Sequence, residues 1–516
     1  MDASDVLGLL RRSGLLDPLR GSAVAAGLAR WGPSLAAGTM AGALRTPFAA
    51  AVIDERGCLT WSQLDRRTTR LARGIHGVGV GRGKTVGILC RNGSGFVVAA
   101  VAAAKAGLTP VLLNTGSSAA QLEEVLEREA VDLLLADDDR ADELSTITFD
   151  GRIVSVSSFD RLEAAGRRRV DPLVPKVAAP VLMTSGTTGT PKGARRSVRS
   201  GSAGAGVGIL GLVPYRSDDV FVVPAPLFHA WGFSNLTLAL TLGATTVAVD
   251  RFTPAAVVDA VAEHDGTVLV AVPVMLKRLL AEPDLDLDPL RRLRIAGSSG
   301  SALPAALATE WMDRTGDNLY NLYGSTEVGS ATIATPDDLR AAPGTAGRPI
   351  PGCDVRVLDH AGAAVESGAT GRLFVAGGGA FDGYSGGGGK AIIAGAMATG
   401  DVGHFDADGR LFVSGRADDM IVSGGENVFP GSVEAVLLAE PGVVDAAVVG
   451  VDDAEFGQRL AAHVHLAADA TTTEQDLRDA VKRALGRHYA PRDVVFVDTI
   501  PRNPAGKVVR RLLVDG

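Results

Sequence analysis

The sequence predicts an α/β fold in which a large N-terminal domain of parallel-sheet layers with helices precedes a small β-rich subdomain and a small α+β C-terminal domain. From about residue 50, short apolar β-branched runs alternate with Ala- and Leu-rich segments, and strands that alternate with helices form parallel sheets covered on both faces. After about residue 345 the runs shorten and end at Gly and Asp turns, which indicates β structure. A chain of 516 residues is also too long for one compact core.

The large domain opens with a predicted strand, helix and strand. TVGILC (85–90) predicts a buried strand, GFVVAAVAAAKAG (95–107) a buried helix, and TPVLLN (109–114) a second strand. QLEEVLEREA (121–130) predicts an amphipathic helix, and VDLLLAD (131–137) predicts the next strand. Three more apolar strands, each ended by Pro or Asp, are predicted at residues 219–226, 244–250 and 266–273.

The second half of the chain changes character at about residue 345 and again at Arg416. Short strands with Gly and Asp turns are predicted at residues 355–359, 371–377 and 409–415. Beyond Arg416, residues 432–451 predict a helix and then a strand, residues 474–485 predict a helix, and the tail is rich in Lys and Arg. The predicted division is an N-terminal helical extension at 1–44, a large domain at 45–415, a boundary at 416–419 and a C-terminal domain at 420–516.

Composition and charge exclude several function classes. The hydrophobic fraction is 46%, the charged fraction is 21% and the net charge is -8, which argues against non-specific nucleic-acid binding. The three cysteines are far apart, so neither a disulfide framework nor a zinc site is expected. Acidic residues stand at the N-terminus where a signal peptide has basic ones, and the most apolar stretch is far shorter than the roughly 20 residues of a membrane span. We therefore expect a cytoplasmic protein.

The segment TSGTTGTPKG (184–193) follows an apolar run and combines Gly, Ser, Thr, Pro and Lys. Small residues let a backbone approach a phosphate closely, amides and hydroxyls donate hydrogen bonds, and Lys192 supplies positive charge. A Walker A loop needs a different spacing, and the nearest approach to one, GVGVGRGKT (77–85), has Val78 where Gly is required. The residue types at 184–193 therefore favour a phosphate-binding loop of another kind.

Four segments together resemble the adenylate-forming superfamily, which includes acyl-CoA synthetases, luciferases, peptide-synthetase adenylation domains and amide-bond synthetases. TSGTTGTPKG resembles its phosphate loop, and NLYGSTEVG (321–329) resembles its adenine and magnesium motif. Residues 399–434 resemble its ribose, hinge and small-domain motif, and PRNPAGKVVRR (501–511) resembles its catalytic-lysine motif. The segments occur in the family's order and at its usual separations, and the resemblance extends from about residue 45 to residue 512.

The resemblance implies an ATP site in the large domain. Glu327 would bind Mg²⁺, which favours carboxylate and phosphate oxygens, and Thr326 would lie near the α-phosphate. Tyr323 would stack on adenine, Asp401 would accept hydrogen bonds from the ribose hydroxyls, and Arg416 would reach the ribose or a phosphate. The β- and γ-phosphates would be held by Thr184, Ser185, Gly186, Thr187, Thr188, Gly189 and Lys192. Further adenylate contacts are implied at Gly300, Ser301, Ala302, Asn321, Gly324 and Ser325.

Residues 298–304 resemble the family's adenine-edge strand but depart from its pattern. Ser301 and Ala302 stand where Ala and Pro are common in the family. The assignment of this strand therefore depends on where the segment lies among the other motifs rather than on matching residues at 301 and 302.

The resemblance also implies a small mobile C-terminal domain. Lys507 would enter the site and contact the acyl carboxylate and the α-phosphate, but only in the adenylating arrangement. Rotation about the hinge residue Asp418 would give a second arrangement in which an acceptor loop faces the site. In acyl-CoA synthetases this loop forms part of the pantetheine tunnel, and here it comprises Ser423, Gly424, Gly425 and Glu426.

The acid pocket is expected beside PLFHAWGFSNLT (226–237). His229 resembles the family's histidine at the mouth of the acyl pocket, where it is associated with access of the thiol; the alternative is a buried, hydrogen-bonded histidine. The expected lining residues are His229, Trp231, Phe233, Gly324, Val328 and Gly329. Because these walls are apolar or small, a hydrophobic aryl or alkyl acid is expected.

The implied activity is formation of acyl-AMP and pyrophosphate from an acid and ATP with Mg²⁺, catalysed with Lys507, His229, Thr326 and Glu327. Coenzyme A is the expected acceptor of the acyl group. An amine, as in amide-bond synthetases, and a carrier protein are the alternatives, because the motifs do not separate them. An inactive ligand-binding protein is a further alternative, which the presence of all the implied catalytic residues disfavours. An oxidative luciferase is another alternative that no residue specifically supports. A homodimer is compatible with the sequence.

Overall fold

The computed structural model describes residues 8, 13, 18–167, 179–184, 192–195, 202–377, 379–385, 387–423, 426–453, 457–503 and 506–514. Its helices begin with α1 (Pro18–Trp31), α2 (Leu35–Arg45), α3 (Trp61–Gly77), α4 (Ser94–Ala106), α5 (Ala119–Arg128), α6 (Ala141–Leu144), α7 (Phe159–Gly166) and α8 (Ser202–Leu212). They continue with α9 (Ala230–Leu242), α10 (Pro254–Glu263), α11 (Pro273–Ala281), α12 (Ala305–Thr315), α13 (Pro336–Ala341), α14 (Pro430–Leu437), α15 (Glu474–Leu485) and α16 (Arg511–Val514).

The strands of the first half are β1 (Ala50–Asp54), β2 (Gly57–Thr60), β3 (Thr85–Leu89), β4 (Thr109–Leu112), β5 (Leu133–Ala136), β6 (Arg152–Ser155), β7 (Val181–Thr184), β8 (Lys192–Arg195), β9 (Val220–Val223) and β10 (Thr245–Ala248). Those of the middle are β11 (Val268–Ala271), β12 (Ile295–Ser298), β13 (Leu319–Ser325), β14 (Gly329–Ala334), β15 (Arg348–Pro349), β16 (Cys353–Leu358), β17 (Gly371–Gly377) and β18 (Gly383–Tyr384). The last are β19 (Ile392–Ile393), β20 (Ala396–Phe405), β21 (Leu411–Arg416), β22 (Ile421–Ser423), β23 (Glu426–Val428), β24 (Val443–Asp453), β25 (Gly457–Leu466) and β26 (Asp493–Phe496).

Two large sheets form the N-terminal part. In the described chain, one has nine strands in the order β15-β14-β13-β12-β11-β9-β10-β1-β2, and the other has seven in the order β18-β8-β7-β4-β3-β5-β6. Their central strands are parallel, whereas the edge strands β2, β14, β15, β8 and β18 pair antiparallel. The predicted parallel layers with helices are confirmed, and the carboxyl ends of parallel strands form the edge where ligands bind in such sheets.

The buried helix α4 lies between the two sheets and contacts β1 of one and β3 and β4 of the other. Its apolar residues surround the whole helix, as burial on all sides requires. It ends at Gly107, whose φ of +69° is the left-handed conformation that glycine adopts most easily. Lys105 is also fully buried and donates to Asp65, Thr68 and Thr69 on α3, so the lysine near the end of this apolar run is accommodated inside the protein by polar partners.

The β-rich subdomain predicted after residue 345 is a five-stranded sheet of β16, β17, β20, β19 and β21 among the described residues. Its strands pair antiparallel throughout. Residues 406–410 form the turn between β20 and β21, which the backbone N–H of Asp406 closes by donating to the carbonyl of Arg410 at 2.9 Å. This sheet places Asp401 and Arg416 opposite each other.

The C-terminal part is a second five-stranded sheet within the described chain, ordered β23-β22-β25-β24 with β26 beside β25. Helices α14 and α15 pack on it through apolar residues such as Val433, Leu437 and Leu477. At the other end of the chain, α1 and α2 are helical as predicted, and α2 packs against α3 and α9. Of the helices that the structure describes, none is long and apolar enough to traverse a bilayer.

Candidate active site

The β13–β14 hairpin brings the predicted adenine and magnesium residues to one end of the nine-stranded sheet. Asn321, Tyr323, Gly324 and Ser325 lie on β13, and Thr326 and Glu327 lie in the turn that leads to β14. A side chain at Gly324 would come within 2.1 Å of the backbone oxygen of Gly329, so the two glycines permit a closely packed hairpin.

Glu327 is held as a carboxylate in the hairpin turn. The hydroxyl of Tyr384 donates to its Oε1 at 2.7 Å, and its own backbone N–H donates to Ser325 Oγ at 3.2 Å. Burial raises the pKa of Glu327, but the hydrogen bonds from Tyr384 and Ser325 outweigh it and leave the pKa below the usual carboxyl value. The side chain is therefore ionised near neutral pH.

An ionised carboxylate fits Mg²⁺, which commonly uses one or two carboxylates together with the phosphates of a substrate. Nowhere in the described ranges do three or more His, Cys, Asp or Glu side chains form a group that could hold a metal. Glu327 would therefore hold Mg²⁺ together with nucleotide oxygens and water. The donor chemistry agrees with the predicted role.

Tyr384 is a candidate site residue that sequence analysis missed. Strand β18 pairs with β8 so that Tyr384 lies opposite Ala194, and the ring centroid of Tyr384 is 5.6 Å from Lys192 Nζ. The same side chain therefore contacts both the lysine of the predicted phosphate loop and the predicted magnesium carboxylate. The one signal in the sequence was a tyrosine just before the SGGGG tract at 385–389.

The predicted phosphate loop joins two neighbouring strands. Thr184 ends β7 and pairs antiparallel with Lys192 at the start of β8. Ser185, Gly186, Thr187, Thr188 and Gly189 lie outside the described residues, so their phosphate contacts stay predictions.

Asp401 lies at the centre of a second polar cluster. Tyr323 Oη donates to Asp401 Oδ2 at 2.6 Å, and Arg416 Nη1 is 3.6 Å from Asp401 Oδ1. Burial raises the pKa of Asp401, although Tyr323 and Arg416 each lower it. Two hydroxyl groups of a ribose would supply the hydrogen bonds that a buried carboxylate needs.

Arg416 connects this cluster with the predicted hinge. Its Nη2 lies 3.3 Å from Asp418 Oδ2, and Asp418 stands in the short connection between β21 and β22. The guanidinium therefore lies beside both Asp401, which is predicted to bind the ribose, and Asp418, the predicted hinge residue. The hinge role of Asp418 stays a prediction.

His229 lies within electrostatic reach of Lys507, although their positions differ by 278, from 229 to 507. His229 stands directly before α9. Burial, and then the positive charge of Lys507, lower the pKa of His229 to about 4. The same Lys507 charge lowers the pKa of Asp401, so the lysine lies close enough to act on both ends of the cluster.

The backbone before Lys507 is seated on the large domain. A Cβ at Gly506 would lie 2.9 Å from Val274 Cγ1, and φ at Gly506 is +78°. Val274 belongs to α11, which begins at the carboxyl end of β11. The C-terminal lysine segment thus docks at the edge of the nine-stranded sheet, where the predicted site lies.

Trp231 and Phe233 face different surroundings. Trp231 Nε1 donates to the carbonyl oxygen of Ala271 at 2.9 Å, at the carboxyl end of β11. Phe233 is buried in the core against Phe96, with ring centroids 6.4 Å apart. Two residues correspond to about 200° around a helix, so the two rings cannot share one face, and the pocket role of Phe233 stays a prediction.

The remaining predicted pocket residue, Val328, packs beneath the hairpin with Phe381 and Ala331. It is buried in that apolar cluster. Val328 thus stabilises the hairpin and the neighbouring Gly329 by packing in this apolar cluster.

The predicted adenine-edge strand at 298–304 is corrected by the structure. Strand β12 ends at Ser298, and Gly300 adopts φ of +93°, a left-handed conformation that does not continue a strand. Gly300, Ser301 and Ala302 therefore form an irregular turn before α12. Backbone groups released from strand pairing in this turn are available to a ligand.

The predicted acceptor loop lies in the C-terminal sheet. Ser423 ends β22 and pairs with Glu426 of β23. Gly424 and Gly425 lie outside the described residues, and the Glu426 side chain is not described. In the same structure the backbone at Gly506, next to Lys507, lies against Val274 of the large domain.

Comparison with known proteins identifies the class. A family model described as AMP-binding enzyme matches residues 41–385, and one described as AMP-binding enzyme C-terminal domain matches residues 432–507. The chain therefore belongs to the AMP-binding enzyme family, the adenylate-forming superfamily of AMP-forming ligases.

Three similar proteins differ in their acyl acceptors. Fatty acid–[acyl-carrier-protein] ligase ScoC of Streptomyces coeruleorubidus is 30% identical, over 91% of this chain and 93% of that protein. The structure of o-succinylbenzoate CoA synthetase (MenE) of Bacillus subtilis, in complex with the acyl-adenylate intermediate OSB-AMP, matches with a TM-score of 0.81 and 28% identity over 93% of this chain and 98% of that one. Amide bond synthetase McbA of Marinactinospora thermotolerans matches with a TM-score of 0.78 and 26% identity over 91% of this chain and 96% of that one.

Proposed function

We propose that this protein activates a hydrophobic carboxylic acid with ATP, releases pyrophosphate, and transfers the acyl group to the thiol of coenzyme A. The observation that carries the proposal is the position of the lysine segment: Gly506 lies against Val274 at the carboxyl edge of the nine-stranded sheet, and the Lys507 charge acts on His229 and Asp401. A cation at this place can contact the acid and the α-phosphate as they react. The bound acyl-adenylate in the related CoA synthetase supports the same first step.

In the first step, a carboxylate oxygen of the acid attacks the α-phosphorus of ATP. A new O–P bond forms, the bond between the α-phosphorus and its bridging oxygen breaks, and pyrophosphate leaves with the bonding electrons. Lys507 would hold the carboxylate and α-phosphate in line, and Lys192 would hold the β- and γ-phosphates. Asp401 would fix the ribose, and Arg416 would add positive charge beside it.

Glu327 would hold Mg²⁺, with Tyr384 orienting the carboxylate. The metal, when bound, would neutralise phosphate charge that develops on the leaving group. The hydrogen bonds from Tyr384 and Ser325 keep the Glu327 carboxylate ionised, and the bond from Tyr384 fixes its orientation.

In the second step, the thiol sulfur attacks the acyl carbonyl carbon. A C–S bond forms, the bond from carbon to the AMP oxygen breaks, the thiol proton passes to solvent, and AMP leaves. We propose that rotation about Asp418 withdraws Lys507 and presents the acceptor loop at Ser423–Glu426 for this step. His229 would control access of the thiol, and its neutral imidazole adds no charge to an apolar entrance.

The acid is proposed to be an aryl or alkyl acid. The pocket walls would be formed by Trp231 and by the hairpin glycines Gly324 and Gly329. The hydrogen bond to the Ala271 carbonyl holds the Trp231 indole in place. An aromatic wall and small residues favour an apolar body over a second carboxylate.

Transfer to an amine is the second candidate function. The match to an amide bond synthetase over 91% of this chain favours it, because the same fold serves that acceptor. Transfer to a carrier protein is the third candidate, supported by the 30% identity with a ligase of that class.

We also propose the following division of the chain: a helical extension at 1–44, the AMP-binding domain at 45–415, a hinge at 416–419 and a mobile domain at 420–516. The matched family ranges, 41–385 and 432–507, support it. A cytoplasmic location is proposed because ATP and coenzyme A are available there.

The test is mass spectrometry of products formed by the purified protein with ATP, Mg²⁺ and a panel of aryl and alkyl acids, with coenzyme A and simple amines both present. Acyl-CoA products are expected. Amides that form without consuming coenzyme A would show that the acyl acceptor is an amine. Acyl-AMP as the sole product would indicate that the acceptor is a carrier protein missing from the assay. Failure of every acid to give acyl-AMP would contradict the proposal.

A further inference from the structure

The segment that would deliver Lys507 is closed by its own hydrogen bonds. The backbone N–H of Asn503 donates to the carbonyl of Lys507 at 2.9 Å, and Gly506 N–H donates to the carbonyl of Asn503 at 2.8 Å. The Lys507 N–H in turn donates to Asn503 Oδ1 at 3.0 Å. With the bridge between Arg502 and Val508, these bonds hold residues 502, 503 and 506–508 together, and these five residues are here called the lysine loop.

One arginine joins this loop to the C-terminal sheet. Arg502 Nε donates to Asp445 Oδ2 at 3.0 Å, and its Nη2 donates to Asp445 Oδ1 at 2.8 Å. The third nitrogen, Nη1, donates to the carbonyl of Gly506 at 2.8 Å. Both side chains are about four-fifths covered, at 21% and 18% exposure, so this bidentate pair is less screened than a surface ion pair.

The lysine loop meets the large domain at α11. Gly506 lies against Val274 with no room for a side chain, and Lys277 stands one turn further along the same helix. Burial lowers the pKa of Lys277, the Asp445 charge raises it, and the Arg502 charge lowers it. The Asp445 carboxylate is therefore within electrostatic reach of two cations that belong to different parts of the chain.

We propose that Asp445 and Arg502 are positioning residues for Lys507. Their ion pair shapes the lysine loop, and the Asp445 charge offsets the repulsion between Arg502 and Lys277 where the loop docks on α11. This inference rests on the proposed function. Lys507 then arrives in a fixed geometry, so less ordering is required when the acid and ATP react.

Hydrogen exchange tests the structural half of the proposal without any substrate. Asp445→Asn keeps the size of the side chain and removes its charge. The amides of Asn503, Gly506 and Lys507 are expected to exchange about tenfold faster, the effect of losing a hydrogen bond to a charged group. The amides of Val448 and Val449 on the same strand should keep their exchange rates.

The matched control is Asp493→Asn, which removes a carboxylate that pairs with Arg459 elsewhere in the C-terminal sheet at 2.7 Å. It should leave exchange in the lysine loop unchanged. Unchanged exchange in Asp445→Asn would overturn the proposal. So would a uniform increase through β24 and β25, because Asp445 would then only stabilise the domain.

The half-reactions test the functional half. Asp445→Asn should slow acyl-AMP formation by about 10- to 100-fold, the cost of misplacing a catalytic group by a small distance, and should leave transfer from preformed acyl-AMP to coenzyme A within about twofold. Adding Lys277→Met to Asp445→Asn should recover part of the lost rate, because it removes one of the two repelling cations. Equal loss in both half-reactions, or a double variant no faster than Asp445→Asn, would overturn the proposal.

The two measurements separate two kinds of failure. If the unmodified protein forms acyl-AMP from no acid, the proposed function fails, whereas the exchange rates still decide whether Asp445 and Arg502 hold the lysine loop. If acyl-AMP forms but the exchange rates contradict the expectation, only the positioning role fails.

Discussion

The two ends of the candidate site are held by different forces. At the phosphate end, Lys192 and Tyr384 lie on the paired strands β8 and β18, and Tyr384 bonds Glu327 on the neighbouring hairpin. At the other end, Lys507 is carried by a short loop that the Arg502 side chain joins to Asp445 of the C-terminal sheet and that only rests on α11 of the large domain. Main-chain pairing persists whatever the C-terminal domain does, whereas a seated loop can leave. We therefore expect the residues of the phosphate end to keep their positions in both half-reactions, and Lys507 to act only in the formation of acyl-AMP.

Loss of the lysine should show this difference most strongly. Lys507→Ala is expected to slow acyl-AMP formation by about 10²- to 10³-fold, the usual effect of removing one group that stabilises transition-state charge. Acid-dependent exchange of pyrophosphate into ATP measures this step. Lys482→Ala removes a lysine from the surface of α15, where it pairs with Asp479, and should have little effect. A loss of less than about tenfold in Lys507→Ala would remove the lysine from the reacting centre.

Glu327→Gln tests the phosphate end. The amide keeps an acceptor for Tyr384 but has no negative charge for Mg²⁺, so the Mg²⁺ concentration for half-maximal acyl-AMP formation should rise by at least about tenfold. A magnesium titration of the initial rate measures it. Glu310→Gln, at an exposed position on α12, is the control. A titration identical to that of the unmodified protein would exclude Glu327 as the metal ligand.

Tyr384→Phe should give a smaller change of the same kind. The ring beside Lys192 remains, but the hydroxyl that lowers the pKa of Glu327 is lost. The Mg²⁺ requirement should rise by no more than about tenfold, and the acid limb of the pH–rate profile should move to higher pH because the Glu327 pKa rises. Tyr320→Phe removes a hydroxyl from the far end of β13 and serves as the control. A profile that stays in place or moves to lower pH would contradict the role of Tyr384.

His229→Ala should have the smallest effect on acyl-AMP formation and a larger one on thiol transfer. The expected loss in transfer is several-fold to about tenfold, as for a group that controls access rather than reacts. Because the His229 pKa is about 4, the imidazole is neutral above about pH 5, and the transfer rate should show no inflection near 6.5. Equal losses in both steps would indicate a packing role, and an inflection near 6.5 that disappears in His229→Ala would contradict the neutral state.

Local residue pattern was enough to predict much of the fold and of the motif-borne site. The alternation around 85–137 indicated the parallel strands, and all-round apolarity indicated the buried helix α4. Glu327 lies in the motif that forms the β13–β14 hairpin. Asp401 and Arg416 lie in one contiguous motif whose two strands pair, so the proximity of these two residues follows from local sequence.

Residues that meet only through long-range pairing could not be predicted in this way. Tyr384 reaches Lys192 because β18 happens to pair with β8, a contact between segments 190 positions apart, from 194 to 384. Asp445 and Arg502 are residue types that are common on protein surfaces, and nothing in the sequence around either of them indicates that they form an ion pair. The strand predicted at 298–304 from the resemblance was wrong beyond Ser298, because Gly300 adopts a left-handed backbone angle that does not continue a strand.

The most direct test of the difference between the two ends is single-turnover transfer from preformed acyl-AMP to coenzyme A in Lys507→Ala. If Lys507 serves only adenylation, this rate stays within about twofold of the rate in the unmodified protein while acyl-AMP formation falls by about 10²-fold or more. If transfer falls as far as adenylation, Lys507 acts in both steps, and the assignment of a permanent phosphate end and a departing lysine end is wrong.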